Sequence, residues 1–288
     1  MMGLRYGSAV MLLACAIGCA GDPALRRLFE ARRLSADLLQ QFTSAADATN
    51  RTVMAGGNDL SKRSARQAED ATAAAQRNAE ALKPLLESLG YAEESRLLAE
   101  FRRRFDDYRA LDGRILALAL EGSNVKAHEQ ASGPAHEAAN AVQQGIQKAT
   151  DSVPADAMWR GRALGATAVA AVREIQVLQF QHIPEDDDAA MTRLEQQMAA
   201  AEAVARQSLR QLALALPASP QAALAQAHTA FDRFIALNVE ITSLSRRNSN
   251  VRALALALGE KGVLAARCED GLRALQDALG KRDVRATR

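Results

Sequence analysis

The stretch at residues 231–271, FDRFIALNVEITSLSRRNSNVRALALALGEKGVLAARCEDG, decides the fold because the chain carries it twice. A fainter copy lies 126 positions earlier, at residues 105–145: FDDYRALDGRILALALEGSNVKAHEQASGPAHEAANAVQQG. In one ungapped register Phe105 matches Phe231, Asp106 matches Asp232 and Tyr108 matches Phe234. Ile115 matches Ile241, Ser123-Asn124-Val125 matches Ser249-Asn250-Val251, and Gly133 and Gly145 match Gly259 and Gly271. A fixed period of this kind marks one structural unit built twice.

Each copy has a helical beat. After Asn250 the apolar residues Val251, Leu254, Leu258, Ala265, Cys268, Leu272, Leu275 and Leu279 follow steps of three and four, broken only by Lys261. That spacing is the seam of a helix packed in a bundle. Before the Ser-Asn pair, Phe231, Phe234, Leu237, Ile241 and Leu244 keep the same beat. Ser123 and Asn124, like Ser249 and Asn250, supply turn and N-cap chemistry, because short polar side chains bind free backbone N–H groups. The spacing therefore predicts a helical hairpin about each pair; the alternative is one long helix running through it.

The same beat runs through the rest of the chain. Breakers at Gly56-Gly57, Gly90, Pro154, Pro184 and Pro217 separate long segments rich in Ala, Leu, Glu, Arg and Gln. Hydrophobic residues make up 48% and aromatic residues 4%, the composition of long helices rather than a sheet core. The prediction is an all-α protein of two up-down four-helix bundles in series, spanning residues 20–153 and 154–288. The acidic run at residues 185–188 sits where a helix N-terminus favours negative charge.

Residues 1–19 look like a leader. Arg5 makes a positive start, and SAVMLLACAIG at residues 8–18 is an apolar run too short to span a bilayer. Cys19 is the expected lipidation site of a bacterial lipoprotein, with Cys15 as a second candidate and plain cleavage after Ala20 as a third. The expected location is the periplasmic side of the envelope, lipid-anchored or secreted. Cys268, far from the leader, reads as a buried apolar thiol.

A formal charge of +2 gives no support to a nucleic-acid partner. A bundle can hold haem or metal, but Cys-x-x-Cys-His and Glu-x-x-His are absent from the sequence and no Cys/His run has zinc spacing. No phosphate loop or Ser/Cys–His constellation stands out. The sequence thus predicts no enzyme, no metal and no cofactor.

The tandem Phe-x-x-Tyr/Phe…Ile…Ser-Asn-Val pattern, carried mostly by FRRRFDDYRALDGRILALALEG at residues 101–122 and its copy at residues 227–248, resembles the four-helix-bundle ligand-binding domain of bacterial methyl-accepting chemotaxis receptors. The resemblance implies an extracytoplasmic domain that binds small ligands. The sequence departs from the family in showing no second transmembrane segment and no methylation region, so it implies a sensor-like module working with a membrane receptor partner. The competing reading is a structural or scaffolding envelope protein without a small ligand. The 126-residue register also suggests where a ligand would sit. His128 and Ser132 replace the seam residues Leu254 and Leu258, and Asp112 stands on the facing seam opposite Asn238's register. Asp112, His128 and Ser132 are therefore the candidate polar pocket; the alternative is plain exposure of His128 and Ser132 near the bundle end.

Overall fold

The computed structural model describes residues 23–151, 159–217 and 220–282. The candidate lipidation residues Cys19 and Cys15 lie outside them. The described chain is helical, without a strand: α1 (Pro23–Ala55), α2 (Asp59–Ser88), α3 (Ala92–Glu121), α4 (Ser123–Gln130), a π-helical turn (Ala131–Ala135), α5 (His136–Asp151), α6 (Trp159–His182), α7 (Asp188–Ala215), α8 (Gln221–Arg247), α9 (Ser249–Leu258) and α10 (Glu260–Lys281). No described helix is long and apolar enough to cross a membrane. Asn58 caps α2 through Ser61 N–H and Asp187 caps α7 through Ala190 N–H, so the acidic turn does cap a helix.

The hairpins expected at the Ser-Asn pairs do not form. Gly122 (φ 60°, ψ 36°) and Asn248 (φ 52°, ψ 33°) are single left-handed residues, and the Ser-Asn pairs already belong to the next helices. An antiparallel helical hairpin needs a loop of about two to five residues, so one residue breaks the helix without folding it back. The chain instead crosses over. Helices α4 and α5 pack on α8 and α6, while α10 and α9 pack on α3 and α1. One bundle is built from α1, α2, α3 and α9–α10; its core runs from Leu28, Phe42, Leu82, Phe101 and Tyr108 to Cys268, Leu272 and Leu279. The other is built from α4–α8, with Val142, Ile175, Leu209, Phe231 and Phe234 inside. The domain boundaries read from the sequence are corrected accordingly. The second bundle is a continuous segment inserted between α3 and α9 of the first, and the expected boundary near Pro154 falls inside it.

The expected cap chemistry is present but acts between copies. Ser123 N–H donates to Ser249 Oγ at 2.9 Å, and Ser249 N–H donates to Ser123 Oγ at 3.1 Å. Asn124 N–H and Asn250 N–H each donate to the other asparagine's Oδ1 at 3.1 Å. These four bonds satisfy N-terminal donors that each helix leaves open and place a local twofold at the waist. Gly57 approaches here as well: it has φ +90°, and a Cβ on it would stand 3.1 Å from Gly122 Cα, so a side chain at this position is strained and crowded.

Both crossing arms carry an irregularity at the same place. The π-turn at Ala131–Ala135 corresponds to the break at Gly259 (φ −89°, ψ −103°). The break changes the buried face. Leu254 and Leu258, expected on the seam, are exposed, while Lys261, which broke the beat, is 2% exposed.

Candidate functional site

The duplication lets each buried position be compared with its twin. Thr49 bonds Asp112 in the first bundle and Gln179 bonds Asn238 in the second. Asp112 and Asn238 are 126 apart, but Thr49 and Gln179 are 130 apart, so α1 is registered on α6 with one extra helical turn. Burial agrees: Leu38, Phe42 and Ala45 correspond to Ala168, Val172 and Ile175. In this alignment Tyr108, Asp112 and Lys261 of the first bundle replace Phe234, Asn238 and Ala135 of the second. At these three positions the ionisable groups thus fall in the first bundle.

They lie together. Lys261 Nζ donates to Ala46 O and Asn50 Oδ1, both at 3.2 Å, and stands 3.4 Å from Asp112 Oδ1. It also lies 5.8 Å from the centroid of the Tyr108 ring. The Thr49 hydroxyl reaches Asp112 Oδ2 at 3.0 Å and Ala45 O at 3.1 Å. Asp112 is 3% exposed, and its Oδ1 accepts no hydrogen bond; the Tyr108 hydroxyl and Thr72 Oγ1 are likewise buried without a partner. Burial raises the Asp112 pKa, opposed by the Lys261 charge and the Thr49 hydroxyl. Burial lowers that of Lys261, opposed by Asp112. Burial raises the Tyr108 phenol, and the Asp112 charge adds to the rise. Removing two charges from water costs several kcal/mol per ion, roughly, and a buried pair returns that only with good geometry. A cation with two hydrogen bonds, and a carboxylate oxygen that meets it only at 3.4 Å, is half of such a geometry.

Above this pair, α2 and α3 leave a groove of about 720 Å³. Glu69, Thr72 and Gln76 line one wall, and Asp106, Arg109 and Asp112 the other. Gly113, Leu116, Ala117 and Leu120 form the apolar floor. The second bundle closes the same face. Helix α2 is registered on α7 by the same 130 residues, with buried Ala75, Ala79 and Leu82 matching Ala205, Leu209 and Leu212. Arg206, the twin of Gln76, donates to Glu202 at 2.8 Å on its own helix and to Asp232 at 3.0 Å across to α8. Arg246, the twin of Leu120, grips Glu195 of α7 with two bonds at 2.8 and 2.9 Å. The first bundle lacks both straps, and small residues leave the space open.

The residues singled out by the sequence are not brought together. Asp112 sits in the first bundle; His128 and Ser132 lie on the arm that crosses into the second. Both are exposed, with His128 edge-on to Phe180 at 5.5 Å and the Ser132 hydroxyl donating to His128 O at 2.8 Å. The expected pocket assumed that α4 faces α3, and the crossover removes that facing. Cys268 is fully buried and free, its thiol pushed up to about 12 by burial, as the seam suggested.

One constellation the sequence did not reveal is Ser245, His182 and Glu195. The Ser245 hydroxyl lies 2.8 Å from both Nδ1 and the carbonyl oxygen of His182, and His182 Nε2 lies 3.0 Å from Glu195. The order matches a Ser–His–acid array, but the exposure is inverted. Ser245 and His182 are fully buried and the glutamate faces solvent, whereas a nucleophile must meet its substrate. The array ties α6, α7 and α8 together at the waist. Its only sequence signal was Ser245, a polar residue where the twin position holds Ala119. Among the described residues no group of His, Cys, Asp and Glu could hold a metal ion.

No protein-family model, curated protein or solved structure matches the chain.

Proposed function

We propose that this protein is a binding module of the bacterial envelope rather than an enzyme, and that its ligand lies in the α2–α3 groove of the first bundle. The observation that carries the reading is the asymmetry between twins. One repeat keeps a costly buried Asp112–Lys261 pair beneath an open groove; the other has Asn238 and Ala135 at those positions and straps the same face shut. A protein that served only as a spacer has no use for that difference. The leader pattern supports export, with Cys19 as the lipid attachment point, and the resemblance to receptor sensor domains supports a membrane receptor as the partner that reads the bound state. The second reading, a structural envelope protein, is favoured by the waist, where reciprocal bonds lock both bundles into one body.

A thermal-shift screen of polar small molecules on the full mature chain tests the reading, because a ligand that binds only the folded state raises the melting temperature. The expected hit loses its shift in Gln76→Arg, which installs the second bundle's strap. Hits that shift this variant equally place binding elsewhere, and a screen without hits leaves the structural role.

A further inference from the structure

We infer that the α2–α3 groove takes a small organic cation, an ammonium head on an apolar body. The inference rests on the proposed binding role of this groove and specifies its chemistry. The groove's volume is that of a small-ligand site. Its polar groups are mostly acceptors: the Asp112 oxygen that accepts no hydrogen bond, the buried Thr72 hydroxyl, and the carboxylates of Glu69 and Asp106 at the rim. Asp112 is the decisive one, since it is almost wholly buried and already lines the groove. A buried acceptor left unfilled is unfavourable, and an N–H donor arriving through the groove would fill it. The charges point the same way. Three carboxylates meet two cations, and Arg109 is engaged by Asp106 at 3.7 Å. Lys261 approaches that oxygen only to 3.4 Å, because Ala46 O and Asn50 Oδ1 hold its ammonium on the core side. The body of the ligand would lie over Leu116, Ala117 and Leu120, where the first bundle offers apolar surface and the second offers Arg246.

Calorimetric titration of the full mature chain with hexylammonium, hexanol and hexanoate tests this. The expected result is one site for hexylammonium, about tenfold tighter than for hexanol, with hexanoate silent. Ala117→Trp fills the groove from an exposed position without changing charge and should weaken hexylammonium by about tenfold or more. The pair Asp112→Asn/Lys261→Met should do the same with an unchanged circular dichroism spectrum. Equal binding of hexanol, or preferential binding of hexanoate, lost in Ala117→Trp, overturns the cation and leaves the groove as the binding site. Hexylammonium affinity unchanged in Ala117→Trp overturns the site. Silence of all three probes overturns the cation, and silence of the thermal-shift screen as well overturns the binding reading itself.

Discussion

The two bundles share one plan and solve its interior differently. The first is aromatic and ionic: Phe42, Phe101, Phe105 and Tyr108 stack and cross beside Asp112 and Lys261. The second is tighter and neutral at the matching place. Ala227 stands at the register of Phe101 and lets α5 approach α8, where a Cβ on Gly145 would meet Ala227 Cβ at 2.8 Å. At the twin, Gly271, the nearest atom to such a Cβ is Arg104 Nη1 at 3.8 Å. A bundle that keeps its helices apart with Phe101 has room for a buried charge pair and an open face. One that draws them together does not. Spacing of the helices, more than the identity of any one polar residue, decides which half can hold a site.

The largest effect should come from the charge pair. Lys261→Met alone leaves Asp112 buried without its cation and should lower unfolding stability by about 3–5 kcal/mol. Adding Asp112→Asn, which copies Asn238, should restore most of it. Urea titration of the two variants reads this directly, and equal losses in both would mean that packing around Lys261, not charge, holds the seam. Next come the glycine twins. Gly145→Ala should cost about 1–3 kcal/mol through overpacking, whereas Gly271→Ala should gain up to about 1 kcal/mol from helix propensity. A loss at both would erase the difference in helix spacing.

A smaller, pH-dependent effect belongs to the second bundle. Burial depresses the His182 imidazole below its ordinary 6.5, although Glu195 partly offsets this. The unfolded chain then takes up the proton first as pH falls, so stability present above pH 6.5 declines below it and levels off under the folded value. Glu195 adds to acid loss at lower pH, because the Arg246 hydrogen bond holds its carboxyl below the usual range. Melting temperatures measured from pH 8 to 5 should fall in the wild type and flatten in His182→Gln; an unchanged slope would move the titration elsewhere. The smallest effect is expected at the positions the sequence first offered as a pocket. His128→Leu with Ser132→Leu should change stability by no more than about 0.5 kcal/mol and leave ligand shifts alone, because both residues are exposed.

The helices, their caps and the repeat were legible because they rest on local pattern: a three-four beat, Gly56-Gly57 after α1, Asp187 before α7. Which helix covers which seam was not, since a heptad shows only that a face is apolar. Asp112 and Lys261 both stood out as polar residues on seams, yet their pairing depends on the crossover. In an uncrossed half Asp112 would look toward His128 and Ser132, as the sequence suggested. The waist array of His182, Ser245 and Glu195 was hidden for the same reason, being assembled from three helices. The extra turn that registers Thr49 with Gln179 was also invisible, because the copies of α1 and α6 are too diverged to align without their partners.

The crossover also fixes when the first bundle can close. Arg32, near the start of α1, donates to the carbonyl oxygens of Leu279, Gly280 and Arg282, nearly the whole described chain away. Chains normally complete their N-terminal domain first during synthesis. Here the order is reversed. The inserted bundle has all its helices once Arg247 emerges, while α1, α2 and α3 wait with an open seam for α10. Loss of α10 to a stop codon or a protease would spare the inserted bundle and undo the first one, and with it the groove. The bundle that carries the groove therefore closes only once α10 has been made.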